Sequence, residues 1–332
     1  MIIQILILIA GLALVVFGAD MLVEGSSSIA RKAGLSEFLI GMTIVGIGTS
    51  LPELVVSLNG ALQGNADIAI GNVIGSNLFN VLLILGVTAI ISPIGISSEN
   101  LHKDIPLNFI ASVLLVALGM HCTLFGIGTE DSLSKVSGLI FLTVFIAYLA
   151  ISIRQGKEED SGETEADSRK VWVSIVMVLA GLAGLIFGGR FFVDSACEIA
   201  RMSGMSDKFI AVTILAGGTS LPELVTCVVA ALKKKDQLAL GNIIGSNISN
   251  IFLILGCSAA MFHKTPGGPS GLTFSGMTAV DLTVFILSGV VLWTSAFTGK
   301  SKDRRTIGKF DGISFLAIEA IYMFFLISNL NQ

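Results

Sequence analysis

Two acidic residues stand in the middle of long apolar stretches, and the same six residues, TSLPEL, surround both of them. Glu53 lies in TSLPELVV and Glu223 in TSLPELVT. An ionised carboxylate at the centre of a bilayer costs on the order of 3 kcal/mol on insertion scales, so such residues usually serve a function. Neither motif has a basic residue near its core. The pair therefore favours binding of a positively charged ion, and a hydrogen bond between helices is the structural alternative.

A proline directly precedes each glutamate. Pro52 and Pro222 lack an N–H and clash with the carbonyl four residues earlier, at Gly48 and Gly218. The sequence therefore predicts a helix break beside each glutamate. Carbonyl groups freed at membrane depth are tolerated only where they face protein or a polar cavity. We expect them to face hard cations here.

A second motif, GN-x-x-GSN, follows each TSLPEL copy and lies within a further apolar segment. GNVIGSNLFN begins at Gly71 and GNIIGSNISN begins at Gly241. The glycine spacing alone is typical of close helix packing, but it does not account for the polar side chains of Asn72, Ser76, Asn80, Asn242, Ser246 and Asn250. Together with the hydroxyls of Thr49, Ser50, Thr219 and Ser220 they supply many oxygens. Carboxylate, amide, hydroxyl and carbonyl oxygens without histidine or thiolate are the ligands of calcium or sodium.

Both motifs belong to a long internal repeat. A shift of 170 residues aligns Thr49–Gly86 with Thr219–Gly256 without a gap, and 21 of the 38 positions are identical. Each half of the chain contains five apolar segments, and five is an odd number. The second half therefore enters the membrane in the opposite sense, an inverted-repeat architecture that recurs in secondary transporters.

Composition supports a chain that lies almost entirely in the membrane. It has 332 residues, of which 53% are hydrophobic and 13% charged, and the mean hydropathy is +0.87. Since a span needs roughly 20 apolar residues, the sequence predicts an all-α integral membrane protein of ten transmembrane helices. The segments centre on residues 1–19, 43–62, 68–91, 105–120, 136–153, 171–189, 209–232, 238–262, 277–297 and 312–330. The predicted units are a first five-helix repeat (1–153), a charged cytoplasmic linker (154–170) and a second, inverted repeat (171–332).

Several function classes are disfavoured by the same numbers. The chain leaves no room for a large soluble catalytic domain, and no Ser-His or Asp-pair constellation falls within the spans, so no enzyme is expected. The net charge is −4 and no basic cluster alternates with aromatic residues, which argues against nucleic acid. The four cysteines occur singly, which argues against a zinc site or a disulfide framework. No resident cofactor is expected.

Orientation follows from the basic residues. With the N-terminus outside, fifteen of the twenty lysines and arginines fall on the cytoplasmic side and four on the outer side. Cytoplasmic loops are enriched in these residues, so the sequence predicts a multi-pass protein of the cell membrane with both termini outside. The run Lys233–Lys235 is interpreted as part of this anchoring. The inner end of the first helix and the outer end of the sixth are marked by charged residues, Asp20, Glu24, Arg190, Asp194 and Glu198, for which anchoring at the interface and a role in ion entry are both open.

The paired GTSLPEL and GN-x-x-GSN motifs resemble the two repeats of the calcium/cation antiporter superfamily, and most closely its prokaryotic sodium/calcium exchangers. The resemblance extends over essentially the whole chain. It implies ten helices in inverted repeats and alternating access, in which the first and sixth helices slide against a fixed bundle. The implied partners are calcium and sodium ions and the lipid bilayer, and we expect the chain to function as a monomer.

The resemblance also implies roles for individual residues. Glu53 and Glu223 would bind calcium with the carbonyls of Thr49 and Thr219. The sodium sites would use Ser50, Ser76, Ser220 and Ser246 with backbone oxygens near Gly46 and Ala216, and Asn80 and Asn250 would face the same pocket. Potassium-dependent exchangers, and some prokaryotic members, carry Asp at the position of Asn250. We therefore expect exchange that is independent of potassium. We also expect the exchange to be electrogenic.

Two other transport functions remain as alternatives. Proton-driven calcium antiporters of the same superfamily typically place an acidic residue inside the GN motif, whereas this chain has Gly75-Ser76-Asn77 and Gly245-Ser246-Asn247. The histidines, His102, His121 and His263, lie in loops or at span ends, so no intramembrane imidazole relay is expected. A passive cation channel could also combine acidic residues with carbonyls. Calcium flux against its own gradient, driven by sodium, distinguishes an exchanger from a channel.

Overall fold

The computed structural model describes residues 1–155, 169–205, 216–263, 270–301 and 304–329. Within them the helices are α1 (Ile2–Ala33), α2 (Glu37–Thr49), α3 (Leu51–Leu62), α4 (Ala66–Ile91), α5 (Asn100–Gly119), α6 (His121–Phe125), α7 (Lys135–Gln155), α8 (Val171–Met202), α9 (Ala216–Gly218), α10 (Leu221–Leu232), α11 (Asp236–Met261), α12 (Ala279–Thr298) and α13 (Lys309–Asn329). The predicted linker lies mostly outside the described residues, which omit 156–168.

The structure is helical and suited to a membrane. Among the described residues, eight helices are long and apolar enough to cross one, and the bent pair α2 and α3 would make a ninth. Nine of the ten predicted segments coincide with these helices. The seventh, 209–232, overlaps α9 and α10, but its first seven residues lie outside the described part of the chain.

Two helices are longer than the apolar segments that predicted them. The first and sixth segments were placed at residues 1–19 and 171–189, but α1 and α8 each run for 32 residues. Each continues past its apolar segment through a stretch that contains charged residues, and Ser26, Ser27 and Ser28 of α1 are fully buried. Hydropathy marks the apolar part of a helix, whereas the backbone hydrogen bonds continue beyond it because packing against the partner helix continues.

The two long helices pack on each other through glycine. A Cβ placed on Gly18 would lie 2.8 Å from the carbonyl oxygen of Gly181, and one on Gly181 would lie 2.7 Å from the carbonyl oxygen of Gly18. Gly11 and Gly188 make a similar contact nearer the start of α1. Small residues at such positions allow two backbones to approach closely. Helices α1 and α8 therefore form a tightly packed pair.

The two GN-x-x-GSN motifs lie in the centre of the molecule, on α4 and α11. Every residue of α11 from Leu238 to Phe252 is buried. Both helices contain a π-helical turn, Phe79–Ile84 in α4 and Asn250–Ile254 in α11. Such turns are rare and occur frequently at functional sites. The outer helices instead expose large apolar side chains, including Phe310 and Phe324 of α13, as a lipid-facing surface requires.

Short strands identify the two ends of the helix bundle. On one end β1 (Ile94–Gly95) pairs antiparallel with β5 (Arg304–Ile307), which also pairs with β4 (Lys300–Ser301). We call this end the linker face, because Gln155 accepts a hydrogen bond there from Lys103. On the opposite end, the N-terminal face, β2 (Ser132–Leu133) pairs antiparallel with β3 (Leu272–Thr273). The described cysteines are free thiols.

The glycine contacts between α1 and α8 predict a sharp position dependence for substitutions. In Gly181→Ala the new methyl group meets the backbone of Gly18 and Leu22 at 2.7 Å, so a helix must move. Overpacking of this kind costs about 1–3 kcal/mol. The matched control on the same helix is Gly189→Ala, whose methyl group meets only Pro222 Cγ at 3.9 Å. Thermal unfolding of the purified protein in detergent should show a lower melting temperature for G181A than for G189A, and equal melting of the two would contradict the assigned packing.

Candidate cation-binding site

The two glutamates lie at helix breaks, as predicted. Helices α2 and α3 meet at Ser50 with a bend of 48°, and Glu53 follows in the first turn of α3. Glu223 occupies the same place in α10, after the break at Ser220. Each carboxylate is only 1% exposed. The proline that ends one helix thus begins the next, and it puts a carboxylate in the first turn, where backbone N–H groups have no partner within the helix.

A pair of crossed hydrogen bonds joins the two halves. Ser50 Oγ donates to Glu223 Oε1 at 3.1 Å, and Ser220 Oγ donates to Glu53 Oε1 at 3.3 Å. Each serine therefore orients the carboxylate of the other repeat, and the two TSLPEL motifs form one site. A serine hydroxyl that donates its proton to a carboxylate keeps its lone pairs available for a cation.

Several buried oxygens of the site have no hydrogen-bond partner among the described residues. They are Glu53 Oε2, Glu223 Oε2, Asn80 Oδ1, Asn250 Oδ1 and Thr219 Oγ1. The first four form two pairs related by the 170-residue repeat. An unsatisfied buried polar atom is costly and needs an explanation. Carboxylate and amide oxygens can accept but not donate, so a hard cation is the partner that fits them.

Other polar residues of the GN motifs hold the two glutamate-bearing helices in place. Asn72 Nδ2 donates to the carbonyl oxygen of Glu53 at 3.2 Å and to Ser57 Oγ at 2.9 Å. In the other half, Asn242 Nδ2 donates to Cys227 Sγ of α10 at 3.1 Å, and Asn242 Oδ1 accepts from Thr49 Oγ1 of α2 at 3.1 Å. The amides of Asn72 and Asn242, which the sequence places among the oxygens of the site, thus make contacts between helices.

The remaining predicted ligands lie on the helices that carry the two motifs. The carbonyl oxygen of Gly46 accepts hydrogen bonds from Ser50 N at 3.2 Å and from Ser246 Oγ at 3.2 Å. Ser76, the repeat counterpart of Ser246, is buried in α4. The backbone of Ala216 begins α9, three residues before Thr219.

Sequence analysis assigned no role to two buried asparagines, Asn77 and Asn247. Asn80 Nδ2 donates to Asn247 Oδ1 at 2.9 Å, and Asn250 Nδ2 donates to Asn77 Oδ1 at 2.8 Å. The sequence does contain one signal for them, since asparagine occupies this position in both repeats. It could not show that each asparagine bonds to the opposite repeat.

A cavity of about 310 Å³ lies between α3, α8 and the break before α10, beside the site. Thr219 and Pro222 line one part of it, and Arg190 and Asp194 of α8 line another. Its lining runs from Leu51 to Val56 along the first half of α3 and from Ile186 to Asp194 along α8. Both helices run toward the N-terminal face, so the cavity extends from the site in that direction.

Comparisons with known proteins identify the class to which this constellation belongs. The family described as sodium/calcium exchanger protein matches residues 3–154 and 173–328. The chain belongs to the sodium/calcium exchanger family. It is 33% identical over 314 residues to the sodium/calcium exchanger MaX1 of Methanosarcina acetivorans, with 85% of this chain and 89% of the relative covered. It is also 40% identical over 264 residues to the putative antiporter CaxA of Alkalimonas amylolytica, with 77% of this chain and 80% of the relative covered.

A solved structure is also similar. The sodium-calcium exchanger NCX_Mj, soaked with sodium and strontium ions, matches with a TM-score of 0.81 and 33% sequence identity, and the alignment covers 97% of this chain and 98% of that one. Members of the sodium/calcium exchanger family are transporters, so the expectation that the chain is not an enzyme is confirmed. The chain is a prokaryotic member of the calcium/cation antiporters, as the motifs predicted.

This exchanger-family chain carries a cluster of ion pairs at its linker face. Glu24 of α1 pairs with Arg169 at 3.1 Å, with Lys233 at 3.0 Å and with Lys235 at 3.0 Å, and Asp20 pairs with Lys233 at 2.6 Å. Acidic residues of α1 thus engage Lys233 and Lys235, two of the three lysines that the sequence interprets as an anchor on the cytoplasmic side.

The turn that presents these lysines is strained. Lys234 has φ 58°, and it is the one residue other than glycine with positive φ among those described. Its repeat counterpart is Gly64, with φ 74°. Both turns close with the same pattern of backbone bonds, Asn65 N to Gly60 O and Lys235 N to Ala230 O. A non-glycine residue in this region costs roughly 1–2 kcal/mol, and the ion pairs on either side of Lys234 hold it there.

The ion cluster predicts different effects for two similar substitutions in this exchanger-family protein. Glu24→Gln removes the charge that three basic side chains share, and it should lower the free energy of unfolding by about 1 kcal/mol. The control is Glu198→Gln, whose partner Arg201 lies 3.7 Å away on the same exposed helix face. Glu198→Gln should lower the free energy of unfolding by less than about 0.5 kcal/mol. Thermal unfolding at low and high salt should show a larger, salt-dependent loss for E24Q, and equal effects would contradict a shared role for Glu24.

Proposed function

We propose that this protein exchanges sodium for calcium across the membrane as a secondary active antiporter. The observation that carries the proposal is a single site with two buried carboxylates. Each accepts a hydrogen bond from a serine of the other repeat and keeps an unpartnered oxygen among the described residues. Two carboxylates match the charge of one calcium ion, and the same charges can instead be balanced by sodium. One site that holds either ion, but not both together, is the basis of antiport.

The proposed ligands follow from the pocket and from the family. Calcium binds to Glu53 and Glu223 with the carbonyls of Thr49 and Thr219. Sodium binds with help from the hydroxyls of Ser50, Ser76, Ser220 and Ser246 and the carbonyls of Gly46 and Ala216. Asn80 and Asn250 face the same pocket and offer their amide oxygens to either ion. Support comes from the oxygens of Glu53, Glu223, Asn80 and Asn250 that lack a partner in the described part of the chain. Within the same residues, no cluster of three or more His, Cys, Asp or Glu side chains resembles a transition-metal centre.

We further propose ten helices in two inverted five-helix repeats, 1–153 and 171–332, with a linker at 154–170. The family matches two separate stretches, 3–154 and 173–328, which agree with this division. Inversion is supported by the two copies of one helix. Helix α3 ends near His263, whose N–H donates to the carbonyl of Ala61, whereas α10 ends at the lysines of the linker face.

Alternating access is supported by an asymmetry between the two faces. Arg190 and Asp194 of α8 line the cavity toward the N-terminal face. Their repeat counterparts are Asp20 and Glu24 of α1, which are ion-paired at the linker face. We propose that this state opens toward the N-terminal face and is closed at the linker face. We propose that α1 and α8, packed through glycine, move together to reverse this.

The proposed setting is the cell membrane, with both termini outside and the chain working as a monomer. The N-terminal face is then extracellular and the state described is open outward. The proposed exchange is electrogenic, because a pocket with two fixed charges becomes positive whenever more than two sodium ions replace one calcium ion. Neither Asn80 nor Asn250 adds a third carboxylate for potassium, because both side chains are neutral amides.

The central function is tested by carboxylate-to-amide substitutions. Glu53→Gln or Glu223→Gln preserves shape but removes half the charge that offsets a dehydrated calcium ion, so calcium uptake into sodium-loaded proteoliposomes should fall to background. The control is Glu319→Gln, which makes the same change at a buried glutamate of α13 outside the pocket and should retain uptake. Uptake near the wild-type rate in E53Q or E223Q would rule out the proposed site. Uptake driven by a pH gradient but not by sodium would favour the proton-driven alternative.

The amide at position 250 predicts independence from potassium. Initial calcium uptake into sodium-loaded proteoliposomes should be equal in external choline and external potassium at matched membrane potential. Asn250→Asp adds a buried negative charge, which should retain an additional cation or proton and slow the cycle, because ion release becomes harder. The counterpart Asn80→Asp is the matched comparison in the other repeat. A strict requirement for potassium in the unmodified protein would contradict this part of the proposal.

A further inference from the structure

Four buried asparagines form two hydrogen bonds that cross between the repeats. Asn80 Nδ2 donates to Asn247 Oδ1 at 2.9 Å, and Asn250 Nδ2 donates to Asn77 Oδ1 at 2.8 Å. The shift of 170 residues converts Asn77 into Asn247 and Asn80 into Asn250. The two bonds are therefore copies of one contact, and all four side chains are at most 2% exposed.

One of the two acceptor asparagines, Asn77, is held in place by a further hydrogen bond. Asn77 Nδ2 donates to the carbonyl oxygen of Asn247 at 3.3 Å, so a second bond connects α4 with α11. If the amide of Asn77 turned over, it would lose this bond and would present an N–H₂ group to the N–H₂ group of Asn250. Asn77 Oδ1 therefore accepts the hydrogen bond from Asn250 Nδ2, and the reverse orientation is disfavoured.

The acceptor role of Asn77 determines which end of the Asn250 amide faces the pocket, and the bond from Asn80 to Asn247 Oδ1 repeats this arrangement in the other half. The two ends of an asparagine amide are nearly equal in shape, but only the oxygen can bind a cation. With Nδ2 of Asn80 and Asn250 engaged by the opposite repeat, their Oδ1 atoms remain buried and without a partner among the described residues. A turned amide would direct its N–H₂ group at the cation and repel it.

We propose that Asn77 and Asn247 are positioning residues that hold the carbonyl oxygens of Asn250 and Asn80 toward the transported cation. They act through those two side chains and do not touch the ion. The inference rests on the proposed function, and it assigns to each repeat the orientation of a ligand in the other repeat. Because Asn80 and Asn250 stand at the π-helical turns of α4 and α11, they sit where the backbone departs from regular helix, and the crossed bonds define their position.

Calcium-dependent thermal stabilisation of the purified protein in detergent provides the test. Asn77→Ala or Asn247→Ala should raise the half-saturating calcium concentration by about tenfold, as the loss of one ligand-orienting hydrogen bond of about 1.4 kcal/mol implies. The matched control is Asn108→Ala, which removes a buried asparagine of α5 outside the pocket and should leave half-saturation unchanged. A purely structural role would lower the melting temperature without calcium and would not shift half-saturation.

Double variants test the crossed pairing. Asn77→Ala should add no further shift when Asn250 is already Ala, but it should have its full effect when Asn80 is Ala. The reverse should hold for Asn247→Ala. The proposal would be overturned if N77A raised the half-saturating calcium concentration by the same factor in the N250A and N80A backgrounds. A change in half-saturation no larger than that of N108A would also overturn it. If N77A does not fold, N247A answers the question in the other repeat, and failure of both to fold would assign them a structural role instead.

The failure of this inference can be distinguished from failure of the proposed function. If calcium does not stabilise the unmodified protein, the calcium site itself is wrong. If calcium stabilises the unmodified protein and the two positioning variants with equal half-saturation, only the positioning role is wrong.

Discussion

Two carboxylates share one buried pocket, and no basic side chain makes a described contact with either of them. Burial of an ionised group is expensive unless it is paired or coordinates a metal ion. Glu53 and Glu223 receive hydrogen bonds from Ser220 and Ser50, which orient one oxygen of each carboxylate and leave the other unpartnered among the described residues. In the proposed function a transported cation supplies the compensating positive charge. The helix breaks, the crossed serine bonds and the crossed asparagine bonds can all be understood as the means of holding acceptor oxygens around that cation.

The proposed exchange also accounts for the difference between the two halves in the described state. A pocket that exchanges ions with both sides at once would dissipate the gradient that drives transport. The described state differs at the two faces, with a cavity beside Arg190 and Asp194 and an ion cluster around Glu24. The repeat equivalence of Gly64 and Lys234 illustrates the difference locally. The same left-handed turn is made by glycine at one face and by a lysine at the other, where its two neighbours bind α1.

Much of this could be predicted from the sequence, because the decisive signals are local or repeated. The buried position of Glu53 and Glu223, the break at Pro52 and most of the helices follow from hydropathy and proline chemistry. The full length of α1 and α8 could not be predicted in this way, because hydropathy does not detect the part of a helix that continues through polar residues. The partners of Lys233 and Lys235 were also missed. A run of lysines has the same appearance in the sequence whether it faces lipid headgroups or acidic residues more than 200 positions earlier in the chain. The crossed pairing of Asn77 with Asn250 needed the three-dimensional contact of the two repeats.

The central claim is that calcium and sodium compete for one pocket that contains two carboxylates. The direct test is isothermal titration calorimetry, in which calcium is titrated into the purified protein in detergent. The titration is repeated at a series of increasing sodium concentrations. The account predicts one calcium ion per chain, with an apparent dissociation constant that rises steadily as sodium increases. It also predicts no calcium binding when Glu53 and Glu223 are both replaced by Gln. Calcium binding that is indifferent to sodium, or that persists in the doubly substituted protein, would contradict it.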